Sequence, residues 1–116
     1  MLQSEVMPID IKVLTEQIYQ YKKGVRHLSL YTFNKKYRKA AVLRLQHQNI
    51  SYIIQPVNDT SINLFFGKKE CLDAIAPMLE RPLCKLSPEE DFILGTLLGY
   101  DVCVQCERYC SLRKKK

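Results

Sequence analysis

The sequence lacks the features that mark membrane-spanning and secreted proteins. No apolar run approaches the roughly 20 residues that a membrane-spanning helix needs. The opening stretch MLQSEVMPID has neither the basic nor the apolar region of a secretory signal. The five cysteines are an odd number and do not suit a disulfide framework. We therefore expect a cytoplasmic protein with reduced thiols.

Catalytic motifs are missing as well. The chain has no Walker loop, dinucleotide-binding glycine fingerprint, nucleophile elbow or H-E-x-x-H zinc motif. Its two histidines, His27 and His47, lie far apart in sequence, and each is better interpreted as a surface or hydrogen-bonded residue than as a catalyst. The turn GKKE is a weak phosphate signal, for which an ordinary strand–helix turn is the simpler interpretation. We expect neither enzymatic activity nor a cofactor.

Hydrophobic periodicity predicts alternating helices and strands. An apolar helical stripe precedes Gly24, which is predicted to end the first helix, and VRHLSLYTF alternates as a strand does. A basic helix follows and is predicted to end at Asn49. ISYIIQPV and SINLFF, joined by NDTS, predict an antiparallel hairpin, and KKECLDAIAPMLE predicts another helix.

The last predicted helix has the clearest signals. A capping box is predicted from Ser87 as N-cap and Glu90 at the third helical position, and Pro88 suits the first helical position. We therefore predict one helix over about 88–112. The element order is then α-β-α-β-β-α-α, with the first two strands parallel and the third antiparallel. This predicts a single α+β domain, 1–116, in which helices, including a long C-terminal one, pack a small mixed three-stranded sheet. A basic tail, 111–116, is expected to be disordered.

Three cysteines recur at helical spacing in that last helix: Cys103, Cys106 and Cys110. They continue a narrow stripe of mostly small residues, which favours a buried packing seam. We predict that Phe92, Leu97, Cys103 and Cys106 are buried. Gly95 or Gly99 is expected at the closest backbone approach. The alternative is that Gly99 and Tyr100 mark a break, after which YDVCVQC leaves the helix as a ligand loop.

The same cysteines permit a thiolate site as an alternative, either a redox pair or a metal site. Cys84, His27 or His47 would be the fourth metal ligand. Structural zinc usually takes its C-x-x-C pairs from tight turns, and a redox C-x-x-C normally lies at a helix N-terminus. Because the predicted helix continues through these residues, metal and redox chemistry are the weaker alternatives.

Positive charge is concentrated in the first half of the chain. The net charge is +6, and residues 1–49 carry nine Lys or Arg against three acids. Such an excess favours anionic partners. Seven residues around the first helix, the first strand and the start of the second helix form a candidate basic face: Lys22, Lys23, Arg26, Lys35, Lys36, Arg38 and Lys39. We expect these residues to share one edge of the domain.

Three segments, SPEEDFILGTLLGYDVCVQCERY, YKKGVRHLSLYT and INLFFG, resemble a family of small bacterial proteins of unknown function over about residues 12–110. The resemblance implies a one-domain bacterial cytosolic protein without established catalytic residues. The resemblance also implies a gene beside that of a flavodoxin, and hence a flavodoxin, typically an acidic protein, as a partner.

Three functional hypotheses follow from these observations. The first is an accessory protein whose basic face docks an acidic protein such as a flavodoxin. The second is single-stranded nucleic-acid binding, because tyrosines are interleaved with the basic residues, although no known RNA-binding motif is present. The third is a metal or redox protein built on the cysteines.

Overall fold

The computed structural model of the protein describes residues 8–115. Within them, five α-helices pack around a three-stranded sheet, and no helix is both long and apolar enough to cross a membrane. The elements are α1 (Ile9–Lys22), β1 (Leu28–Asn34), α2 (Arg38–His47), β2 (Ser51–Pro56), β3 (Ser61–Gly67), α3 (Lys69–Ile75), α4 (Pro88–Leu97) and α5 (Val102–Lys114). Short 3₁₀ turns occupy Lys35–Tyr37, Ala76–Glu80 and Leu83–Lys85.

The sheet has the strand order β1-β3-β2. The predicted α+β class and the order of helices and strands are confirmed, and β1 and β2 run in the same direction. The sheet is not mixed, however, because β3 lies between these two strands and pairs antiparallel with both. The physical reason lies in β3 itself, in which Ile62–Gly67 are all buried. A strand that is buried on both faces takes the central position, where neighbouring elements cover it on all sides.

Helices cover both faces of the sheet. Alternate residues of β3 point to opposite faces. Leu64 and Phe66 pack with α1 and α2, whereas Phe65 packs with α3 and α4. The sheet is thus the middle of three layers, and the N-terminal helices lie on one outer side.

Helix termini follow the local signals in most places. Residue Asn49 adopts a positive φ of 57°, and Gly24 follows α1, so both predicted helix ends are confirmed. The predicted capping box is also present: Glu90 N donates to Ser87 Oγ at 3.1 Å, and Ser87 N donates to Glu90 Oε1 at 2.9 Å.

The predicted helix over 88–112 is wrong as a single helix. It breaks at Gly99, whose φ of +84° suits glycine, and Tyr100 N donates to Gly95 O at 3.1 Å. Gly99 N also donates to Thr96 O at 3.0 Å, and these two bonds form a Schellman motif, which ends a helix. Asp101 then caps a new helix, its carboxylate accepting from Val104 N at 3.0 Å. The result is a hairpin of α4 and α5.

Helix α5 packs on α4 through Gln105 and Tyr109. Gln105 is the buried residue of α5, and a Cβ at Gly95 would lie 2.0 Å from its Oε1 atom. The Tyr109 ring lies 5.7 Å from the Phe92 ring, centroid to centroid. Gly95 is therefore a point of close approach, as predicted, but the partner is a side chain of α5.

The prediction that residues 111–116 form a disordered tail is wrong for residues 111–114. They form the last turn of α5, where Arg113 lies 5.1 Å from the centroid of the Tyr109 ring. Basic side chains at a helix C-terminus interact favourably with the helix dipole, which supports this turn. Lys116 lies outside the described residues.

A chain of side-chain hydrogen bonds crosses the sheet from β1 to β2. Thr32 Oγ1 donates to Asn63 Oδ1, and Asn63 Nδ2 donates to Gln55 Oε1 at 2.9 Å. Gln55 Nε2 then donates to the backbone oxygens of Leu79 and Arg81, both at 2.9 Å. This chain attaches the segment after α3 to the sheet, beside a cavity of about 610 Å³.

Candidate functional site

The seven residues of the basic face fall into two groups. Lys22, Lys23 and Arg26 precede β1, whereas the other four follow it. A seven-residue strand is about 20 Å long at roughly 3.3 Å per residue, so the two groups lie at opposite ends of β1. The seven residues were predicted to share one edge of the domain, but they form two basic clusters separated by the length of a strand.

The larger group lines a groove on the outer side of α2, with a volume of about 560 Å³. We call it the α2 groove; its residues are Lys35, Lys36, Arg38, Lys39, Val42, Leu43, Gln46 and Tyr52. Leu43 is 47% exposed, so the groove combines positive charge with accessible apolar surface. Among the described residues, no carboxylate lines it.

Local sequence explains why these cations crowd together. The side chain of Asn34 accepts from Lys36 N at 2.9 Å and caps the 3₁₀ turn that leads into α2. Arg38 and Lys39 then fall in the first turn of α2, which contains no acid. Positive side chains at the positive end of the helix dipole are unfavourable. The groove thus concentrates positive potential in the absence of a partner.

The smaller group is held by contacts within the protein. Lys22 Nζ donates to Gln48 Oε1 at 2.7 Å, and Arg26 Nη1 donates to Leu98 O at 2.7 Å. Lys22 and Arg26 also line a cavity of about 370 Å³ with His27 and Lys68. The position of His27 in this cavity was not predicted from the sequence. Pairing between β1 and β3 brings His27 next to Lys68, which is far from it in the chain.

The two halves of the chain differ in how their basic side chains are paired with carboxylates. Within residues 8–115, none of the seven basic-face residues pairs with a carboxylate, whereas Lys69, Arg81 and Arg108 pair with Asp73, Glu90 and Asp91. Residues 50–116 contain nine Lys or Arg and nine acids, so the net charge of +6 arises from residues 1–49. The positive field is therefore strongest on the side of α1 and α2.

The predicted burial of the α5 cysteines is wrong. Cys103, Cys106 and Cys110 are all exposed. The break at Gly99 resets the rotation of the helix, so that Gln105 faces α4 and the cysteines face away from it. Phe92 and Leu97, also predicted to be buried, are half-buried.

Within residues 8–115, the cysteines do not come together with other metal-ligating side chains. Cys84 is exposed in the turn before α4, and His27 and His47 lie in the connection before β1 and at the end of α2. In the part of the chain that is described, no group of three or more His, Cys, Asp or Glu side chains could hold a metal ion.

Tyr31 is a half-buried phenol in contact with a carboxylate. Its hydroxyl donates to Asp10 Oδ1 at 2.6 Å, and burial, followed by this hydrogen bond, raises the pKa of Tyr31 to about 12. The phenol therefore stays protonated at neutral pH, and its role is to tie α1 to β1.

A family model described as "Protein of unknown function (DUF2023)" matches residues 12–112. The chain belongs to this family. The match covers the elements from α1 to α5, including both basic clusters and the α5 cysteines. No curated protein matches the chain. The family carries no assigned activity, so the functional interpretation depends on the surface described above.

Proposed function

We propose that the protein is a non-enzymatic cytoplasmic accessory protein whose α2 groove docks an acidic protein such as a flavodoxin. The observation that carries the proposal is the groove itself: four cations surround an accessible apolar floor, without a carboxylate among the described lining residues. Cations of this kind accelerate encounter with an acidic surface.

The apolar floor supports protein docking over simple anion attraction. Val42, Leu43 and Tyr52 offer contacts that exclude water, and such contacts form the centre of protein interfaces with a polar rim around them. An acidic partner would also relieve the repulsion between the cations at the start of α2.

Titration of the ¹⁵N-labelled protein with a flavodoxin tests the proposal by amide chemical shifts. The double variant Lys36→Glu/Lys39→Glu reverses two charges in the groove. Its control, Lys114→Glu/Lys115→Glu, makes the same change in net charge at the end of α5. We expect the groove variant to bind at least about tenfold more weakly than the control at 10 mM salt, because surface charge pairs contribute up to about 1 kcal/mol each.

Salt dependence provides a second readout of the same complex. Screening lengths fall from about 30 Å at 0.01 M to about 8 Å at 0.15 M salt, so the difference between the two variants should shrink. If wild type shows no shift changes at 10 mM salt, or if both variants bind equally, the groove is not the docking surface.

Single-stranded nucleic acid is a second candidate for the same groove, favoured by the aromatic ring of Tyr52 among its cations. Bases stack on such rings, and an alanine-type truncation costs about 1–3 kcal/mol per base. If an oligonucleotide binds, Tyr52→Leu should weaken it, and four phosphate contacts should give a log–log salt slope of about −3. Leu retains the apolar floor, so Tyr52→Leu should leave docking of an acidic protein within about threefold of wild type.

A further inference from the structure

A small cavity of about 250 Å³ lies at the outer edge of β1, between α1 and the link from α4 to α5. Its lining residues are Gln17, Gln20, Arg26, Ser29, Leu30, Leu98 and Tyr100. It is separate from the α2 groove, with which it shares no residue.

Two buried polar atoms in this lining are unpaired. Ser29 is 3% exposed, and within residues 8–115 neither Ser29 Oγ nor Gln17 Oε1 has a hydrogen-bond partner. Buried polar groups are nearly always paired, because leaving one unpaired costs free energy. Both atoms belong to residues that line the same cavity, so two unpaired polar groups lie beside it.

Arg26 gives the cavity its charge. Its Nη1 donates to Leu98 O at 2.7 Å, which fixes the guanidinium at the cavity wall and leaves further N–H donors on the fork. Among the described residues, no carboxylate lines the cavity. A fixed guanidinium without an internal counter-charge suits an oxyanion.

The cavity has room for more than one water molecule. Liquid water occupies about 30 Å³ per molecule, several times less than this cavity. The polar groups also have different demands: the Arg26 and Ser29 side chains can donate to an anion, whereas Gln17 Oε1 can only accept. A matching molecule has an oxyanion at one end and an O–H donor at the other.

We propose that this cavity binds a small hydroxycarboxylate. Its carboxylate accepts from the Arg26 guanidinium and the Ser29 hydroxyl, and its hydroxyl donates to Gln17 Oε1. The proposal is independent of docking at the α2 groove. Ser29 and Gln17 belong to neither basic cluster, so changing them tests the cavity alone.

Glycolate, acetate and inorganic phosphate are the probes, added to ¹⁵N-labelled protein. Glycolate should shift the amide signals of Ser29 and Tyr100 saturably, with a dissociation constant in the millimolar range or below, as expected for about five non-hydrogen atoms. Acetate, which lacks the hydroxyl donor, should bind at least about tenfold more weakly, since Gln17 Oε1 then stays unpaired.

Ser29→Ala separates binding from folding. The Ser29 hydroxyl has no partner within the described chain, so its removal should leave the thermal midpoint unchanged or raise it, while weakening glycolate at least about tenfold. Gln17→Glu keeps the shape but replaces the acceptor with an anion, which should also weaken glycolate. Ser111→Ala, at an exposed site on α5, is the matched control and should bind as wild type does.

Three results would overturn the proposal. The first is no saturable shift with glycolate up to about 50 mM, well above the affinity expected for so small a ligand. The second is equal binding of glycolate by wild type and Ser29→Ala. The third is a response to phosphate without one to glycolate, which would reassign the cavity to phosphate compounds.

Discussion

Replacing Asn63 with Asp tests the hydrogen-bond chain that crosses the sheet, because it turns a donor into an acceptor without altering the side-chain shape. The chain has a fixed direction: the backbone oxygens at its end can only accept, so Gln55 Nε2 must point to them and Gln55 Oε1 must point to Asn63. Only a donor at position 63 satisfies that oxygen. In Asn63→Asp, two acceptors face each other at neutral pH.

The expected loss follows from two contributions. An unpaired buried acceptor costs about 1–3 kcal/mol. Asn63 is 6% exposed, so an ionised carboxyl there also loses hydration, at about 1.4 kcal/mol for each unit by which burial raises its pKa. We expect Asn63→Asp to lose about 3 kcal/mol, against a total free energy of unfolding of about 5–15 kcal/mol.

Urea unfolding followed by circular dichroism at pH 7 and pH 4 measures this loss. A carboxyl whose folded pKa is raised destabilises the protein above that pKa, and the loss is recovered as the pH falls through it. The protonated carboxyl can then donate to Gln55 Oε1. We expect the gap between wild type and Asn63→Asp to shrink to about 1 kcal/mol at pH 4.

Thr32→Val is the control, because it removes only the first donor of the chain, at an exposed residue. Its cost should be about 1 kcal/mol or less and independent of pH. If Asn63→Asp costs no more than Thr32→Val, or if its gap from wild type is the same at both pH values, the direction of the chain is irrelevant to stability.

Three further changes test other parts of the fold. A Cβ at Gly67, where φ is +147°, would lie 2.2 Å from His27 O, so Gly67→Ala should cost about 2 kcal/mol or more in urea unfolding; a loss below about 0.5 kcal/mol would contradict this packing. The Arg81 guanidinium and the Ser87 backbone lower the pKa of Glu90 from 4.5 to about 2, so its stabilisation is complete above 4.5 and is lost as the pH falls toward 2. Glu90→Gln should therefore flatten the fall in thermal midpoint over this range, and an unchanged profile would exclude that linkage. Serine in place of the exposed α5 cysteines should change stability by less than about 0.5 kcal/mol, and their thiols should react with a disulfide reagent in native protein, whereas slow reaction would mean burial.

Local features of the fold were predictable from sequence where one short segment determines them. The capping box at Ser87 and Glu90 requires only four consecutive residues, and the helix ends at Gly24 and Asn49 require only one turn. The break at Gly99 had a comparable signal, since a glycine two residues before Asp101 suits a helix end followed by an N-cap. The regular spacing of small residues and cysteines nevertheless favoured one continuous helix over the break.

Nonlocal features were not predictable in the same way. The order of the strands depends on which strand is best suited to burial on both faces. The buried run Ile62–Gly67 identifies β3 as that strand only when it is known that helices cover both faces of the sheet. The cavity at Ser29 had no sequence signal, because it is formed by α1, β1 and the link after Leu98, which are far apart in the chain. The basic residues were identified correctly as charged and exposed for the most part, but their division between the two ends of β1 needed the structure.

The central position of β3 has a consequence for the order of folding. Four residues separate β2 from β3, whereas 26 separate β1 from β3. For a flexible chain the longer loop costs about 1.7 kcal/mol more to close, and hairpins form within about 1–10 μs. The β2–β3 hairpin should therefore form before β1 docks. During that interval the apolar β3 has an open edge, to which β1 of the same chain and β3 of another copy both have access. We therefore expect that slower docking of β1 leaves more of the nascent protein open to aggregation.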